Sequence, residues 1–139
     1  MPRLILFVAC QIGSVDSSTN SLSLIGIIEQ LNVLSFPAAV GEVSIVATWR
    51  RYEDEAEGSM IQRVVLFSPE KEQLLTVETP FIFEKLAHRI INRVAGLPLK
   101  GPGLHELCVY VTRQGSQYPD KPASSFPIQV VQAASMQVG

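Results

Sequence analysis

Two histidines, two cysteines and one acidic run are the side chains of this 139-residue chain whose types could do chemistry. A hydrolase needs a nucleophile with a base held against it. His88 and His105 stand in no GxSxG or HExxH arrangement that would supply the pair. Both are read as structural, His105 as an exposed residue at the start of a strand. Glu53, Asp54, Glu55 and Glu57 offer hard oxygen ligands of the kind Ca²⁺ takes, but they lack the alternating Asp/Asn and Gly of an EF-hand loop. A solvated loop is the better reading. Cys10 and Cys108 fit no CxxC or Cys/His metal spacing. They are expected as buried free thiols, able to pair only if their strands are neighbours with close β-carbons. No Gly-rich phosphate loop or dinucleotide fingerprint is present. No catalytic, cofactor or metal residue is therefore assigned, and an enzyme is not expected.

What remains is contact chemistry. Trp49, Arg50, Arg51 and Tyr52 fall where an alternating strand runs out into the acidic segment, and an aromatic beside arginines at a strand end suits a partner or ligand contact. His105, beside the Gly101–Gly103 turn, joins them as a candidate. Packing at a strand end is the competing explanation for the first four. The overall charge is −2, from 11 basic and 13 acidic residues, which leaves no basic field to draw in nucleic acid.

The elements that must hold these residues read as strands. Short apolar runs rich in Val, Ile, Leu and Phe alternate with Gly, Pro, Ser and Asn clusters at even spacing, the rhythm of an all-β sandwich or barrel. Leu4–Ile12 reads as a first strand buried on both sides. Its Val8-Ala9-Cys10 end resembles a lipoprotein cleavage site, but the apolar run is short for a secretory segment, which needs roughly 7–15 apolar residues behind a basic start. Residues 13–20 have loop composition, and Leu22–Leu31 is the natural hairpin partner. From Gly41, Val43, Ile45, Ala47 and Trp49 alternate with Ser44, Val46, Thr48 and Arg50, the period of a half-buried strand.

Tyr52–Ser59 is then an exposed loop, Met60–Phe67 a strand, Ser68–Glu72 a turn with Pro69 at its first corner, and Leu74–Phe83 a strand interrupted or bent near Pro80. Leu86, Ile90, Val94 and Leu97 recur at helical spacing, while Ile90, Ile91 and Val94 would equally serve a strand, and strand is favoured for Ala87–Leu97. After Gly101-Pro102-Gly103, Leu104–Thr112 sets Leu107, Val109 and Val111 against Cys108 and Tyr110. Phe126–Gln132 is the last strand, with Pro127 marking its edge or beginning. Residues 1–132 are expected to form one domain and 133–139 a frayed tail.

The stretch Asn20–Ile28 with its Ser-Leu-Ser-Leu-Ile-Gly-Ile core resembles an uncharacterised bacterial family of small β-sandwich domains. The other matching pieces are Val8-Ala9-Cys10, Phe36-Pro37 and Pro102–Leu107, so the resemblance spans most of the chain. It implies a β-sandwich of immunoglobulin-like character, in agreement with the strand pattern, and the expected fold is an all-β, antiparallel sandwich of about seven or eight strands. It implies no activity, and no functional residues transfer. Where the family carries an acidic pair near the first strand this chain has Gln11 and Ile12.

With 47% hydrophobic and 17% charged residues, the chain has apolar surface beyond what one core consumes. The expectation is a cytoplasmic, non-enzymatic module that binds a protein partner or its own copies, with no membrane contact. A binder of a small apolar or sugar-like ligand is the alternative.

Overall fold

The computed structural model describes residues 1–53 and 58–133. Among them the chain forms nine strands: β1 (Arg3–Val15), β2 (Leu22–Ile27), β3 (Gln30–Val33), β4 (Ala38–Arg50), β5 (Ser59–Phe67), β6 (Gln73–Ile82), β7 (Ala87–Leu99), β8 (Gly103–Arg113) and β9 (Ser124–Gln132). They make two sheets, β2-β1-β4-β7 and β3-β9-β8-β5-β6. Between the sheets lies one core, with Ile45, Ala47 and Trp49 from the first facing Val64, Leu66, Leu107 and Val109 from the second. Burying a side chain of this kind contributes about 1.5–3 kcal/mol. The described residues contain no helix long and apolar enough to cross a membrane.

β4 and β8 are strands as expected, but β4 is not half-buried: Ser44 and Val46, on the face expected to meet solvent, are buried along with Val43, Ile45 and Ala47. Ala87–Leu97 is strand. The helical spacing there has two causes in the structure. Asn92, a polar residue, occupies a position on the same face as Ile90 and Val94, and Gly96, at φ 80°, shifts the phase so that Leu97 also turns inward. Three apolar residues then fall three and four apart although the backbone is extended.

Several boundaries differ from expectation. β1 runs on to Val15, because the turn is held further along by Asp16, whose carboxylate accepts the backbone N–H groups of Ser18 and Thr19 at 2.8 and 3.1 Å. Leu22–Leu31 is not one strand: β2 ends at Ile27, the chain crosses between sheets, and Gln30–Val33 pairs with β9 instead. That pair is parallel, so the sandwich is not wholly antiparallel. β6 continues through Pro80 without interruption, because β6 is an edge strand and its Pro lacks only a donor that no neighbour requires. Pro127 sits in β9 before its pairing with β3 begins at Gln129. Ala133 still donates to Val33 O at 2.9 Å, and the rest of the expected tail lies outside the described residues.

Candidate functional site

A strand hairpin normally extends its sheet sideways. Here β1 and β2 fold back over the sheet's outer face. A β-carbon on Gly13 would meet Val46 Cγ2 at 3.1 Å, so glycine lets the backbone pass this close without Val46 having to give way. Arg93 of β7 donates to Gly13 O at 3.2 Å, and Arg89 Nη2 reaches Asn20 O at 3.4 Å, tying both the strand and the turn down. Beneath the hairpin Val8, Cys10 and Val46 form a second apolar cluster with Leu6, Leu22, Leu24 and Ile91 against it. Val46 is thus fully buried although it points away from the main core.

The hairpin's other side is open and apolar. Ile12 and Ile25 stand directly opposite each other in the β1–β2 ladder and are 54% and 55% exposed; Ile27 is 52% exposed. Ile12 and Ile27 also line a surface groove of about 470 Å³ whose other walls include Ile28, Leu31 and Val40. From Leu4 to Ile28 the sole charged residue is Asp16, at the far turn. Each β-sheet edge needs protection against stray pairing, commonly by charge, Pro or shortness. The edge strand β6 carries Glu78 and Pro80, β7 carries Arg89, Arg93 and Pro98, and β3 has four residues. β2, at the edge of its sheet, carries neither charge nor Pro.

The contact residues expected from the sequence do not converge. Trp49 is fully buried and donates its indole N–H to Gln62 Oε1 at 2.7 Å, so it has no surface to offer a partner. Arg50 is exposed at the strand end and Tyr52 is 48% exposed, with the Arg3 guanidinium 5.3 Å from its ring centre. Arg51 lines a cavity of about 290 Å³ with Met60, Phe83, Arg113 and the chain start, Met1 and Pro2. His105 is not exposed: it is 1% accessible, on the core side of β8, with Nδ1 3.1 Å from Gly103 O. It lies toward the opposite end of the sandwich, in register with Ile128, whereas Arg113 is in register with Met60. His88 is half-buried and stacked on Phe81, with ring centres 4.9 Å apart. Of the acidic run, only Glu53 falls among the described residues, and it is exposed.

Cys10 and Cys108 are buried and free, one in each sheet. Burial raises both thiols above their ordinary pKa, and for Cys108 the nearby Glu106 adds to this. On the outer side of the second sheet, Arg63 lies 4.1 Å over the Tyr118 ring and 3.5 Å from Glu78, which accepts the Tyr118 hydroxyl at 2.8 Å. These contacts make the cluster a strut between β5, β6 and the loop before β9.

The sequence alone did not single out Ile12, Ile25 and Ile27. The available signal was the charge-free run from Leu4 to Asp16 and again to Ile28, which reads equally well as a doubly buried strand pair. These features define a class, a two-sheet β-sandwich with an unguarded, uncharged edge hairpin and, among the described residues, no metal-binding cluster of His, Cys, Asp or Glu. Within that class the chain belongs to a family of unknown function, DUF6941, whose model matches residues 5–131. Comparison with curated proteins gives no match in sequence.

Proposed function

We propose that the chain is a non-enzymatic protein-interaction module that docks through the β1–β2 hairpin. The observation that carries this is the uncharged β2 edge with Ile12, Ile25 and Ile27 exposed beside it. Large exposed apolar side chains scattered singly are ordinary, but grouped ones flanked by an open strand edge mark contact surfaces. Sandwiches of immunoglobulin-like character serve recognition in many settings, a fold-level analogy that points the same way. Two free buried thiols suit a reducing compartment such as the cytoplasm.

The test is native mass spectrometry of gently purified chain beside an Ile25→Lys variant. Association with protein that is lost in the variant supports the reading. A bare monomer in both overturns it.

A second reading, a binder of a small apolar or sugar-like ligand, draws on the strand-end cavity. Its volume of about 290 Å³ lies at the lower bound of ligand sites, about 300–1,000 Å³, with Phe83 and Met60 as apolar wall and Arg51 and Arg113 as polar groups. In the same spectra an adduct of small constant mass, unaffected by Ile25→Lys, would favour it.

A further inference from the structure

We infer that the outer face of the first sheet holds a site for a small oxyanion, a phosphate or carboxylate on an apolar body, whose head group is taken by Arg50 and Arg89. The net charge of −2 conceals how the arginines are placed. Arg3 stands directly opposite Arg50 in the β1–β4 ladder. Arg50 in turn faces Ala87 of β7, and Arg89, opposite Thr48, is its diagonal neighbour. Leu4, Trp49 and Ile90 belong to the core, so the three arginines, each next to one of these along its strand, lie on the outer face. Directly opposite β-carbons are about 4.5–5.5 Å apart, and like charges so placed destabilise a sheet. An anion relieves that repulsion, and no ion pair among the described residues involves Arg3, Arg50 or Arg89. The carboxylates of this face are directed elsewhere: Asp16 accepts from Ser18 and Thr19 in its own turn, and Glu42 stands at the other end of the strands, opposite Ala95. Glu53 and Glu84 fall outside the strands. Arg3 lies over the Tyr52 ring, which leaves Arg50 and Arg89 to meet a ligand.

A cavity adjoins these arginines. It measures about 470 Å³, and its walls include Arg89, Thr48 and Asn20 as polar groups and Val15 and Ile91 as apolar ones. Ligand sites span about 300–1,000 Å³. Arg89 is short of acceptors there. Its Nη1 and Nη2 donate to Asn20 Oδ1 and Asn20 O at 3.5 and 3.4 Å, whereas charge-assisted bonds prefer about 2.7–2.9 Å, and its enclosed Nε meets no acceptor among the described residues. An oxyanion suits such a guanidinium, because two of its oxygens accept two parallel N–H bonds at once. The Thr48 hydroxyl and the Asn20 amide are further donors, and Val15 with Ile91 gives the rest of the ligand an apolar wall. The site is independent of docking through the hairpin, whose open side carries Ile12 and Ile25.

Phenyl phosphate and benzoate are the probes, with neutral benzamide as control, titrated into the full chain while NMR follows the methyl groups of Val15 and Ile91. Two or three charge-assisted bonds correspond to a dissociation constant of about 1 mM. Saturable methyl shifts with one or both anions, weakened by added NaCl and absent with benzamide, are expected, and the tighter probe names the head group. Arg89→Gln should weaken binding at least about tenfold, and Arg89→Lys, which keeps the charge without the fork, by less. Arg50→Gln should lower the affinity without lowering the denaturation midpoint, because it removes a like charge opposite Arg3. An arginine held for structure alone would not separate the two. Cys10, under the hairpin, should stay unreactive in Arg89→Gln, so that lost binding is not lost folding.

No saturable binding of either anion at about 10 mM overturns the inference. So does binding that survives Arg89→Gln, or that Arg113→Gln abolishes, which places the anion in the strand-end cavity instead. If Cys10 becomes reactive in Arg89→Gln, Arg50→Gln decides: an unchanged affinity in that variant overturns the site, and a lowered affinity at an undiminished midpoint upholds it.

Discussion

The indole Nε1 of Trp49 donates to Oε1 of Gln62 at 2.7 Å, joining β4 of one sheet to β5 of the other through a buried bond near one end of the core. The chain of bonds continues from Gln62 Nε2 to Asn92 Oδ1 at 3.2 Å and from Asn92 Nδ2 to Thr79 Oγ1 at 2.9 Å. Four strands, two from each sheet, are thereby held in one relative placement. A satisfied buried network specifies a unique core, and the same network with one member missing leaves costly orphans.

Gln62→Leu should therefore destabilise the chain by about 2–4 kcal/mol, since an unsatisfied buried polar group costs about 1–3 kcal/mol and both Trp49 and Asn92 lose a partner. Chemical denaturation followed by circular dichroism measures it. Trp49→Phe combined with Gln62→Leu should cost less than the sum of the two alone, the mark of a direct contact in a double-mutant cycle.

Acid should weaken the β6–β7 side of the sandwich through His88. Burial lowers its pKa below the ordinary 6.5, with Glu84 opposing in part. The folded state thus binds the proton less readily than the unfolded chain. This share of stability is complete above about pH 6.5 and is lost as pH falls through that value toward the folded pKa. His88→Phe keeps a ring against Phe81, so its stability profile below pH 6.5 should be flatter than that of wild type. Equal slopes would show that His88 does not contribute.

At the alkaline end the Tyr118 hydroxyl is the group to follow. Burial, then the hydrogen bond to Glu78 and the Glu78 charge, push its pKa up to about 12. A raised folded pKa means the contribution is present below the ordinary value of 10 and is lost as pH rises from there through about 12. Phenolate absorbance should show one tyrosine of the three titrating near 12 in the folded chain. Tyr118→Phe should remove that step.

Neither thiol should react with a disulfide reagent in the folded chain, because Cys10 is fully buried and Cys108 is 5% exposed, and both should be counted after denaturation without reductant. Gly13→Val forces side-chain atoms into the space held by Val46 and should cost about 1–3 kcal/mol. Lifting the hairpin uncovers Cys10, so in this variant one thiol should react in the folded state. If reactivity is unchanged, the hairpin does not control access to Cys10.

The sequence by itself determined the all-β class, the strands at Val43–Trp49 and Leu104–Thr112 with the core-facing side of each, and the turns at Ser68–Glu72 and Gly101–Gly103. These follow from local rules: a strand between core and solvent must alternate, and a turn needs residues whose backbone can make it. Burial of Val46 was not legible, because Ser44, Val46 and Thr48 read as a solvent face and only the folded-back hairpin, more than twenty residues upstream, covers it. The inward Gln62 and Asn92 broke the apparent pattern of their strands, and only the packed sheets show that each polar atom has a partner on another strand. Trp49 went from contact residue to core residue, and His105 from exposed to buried, for the same reason. Accessibility depends on what comes to lie over a side chain, which is set by long-range packing. The exposed Ile12–Ile25 pair is the converse: its residues have the composition of a core, and the hairpin that lies over Val46 with Leu22 and Leu24 turned in leaves them on its outer side.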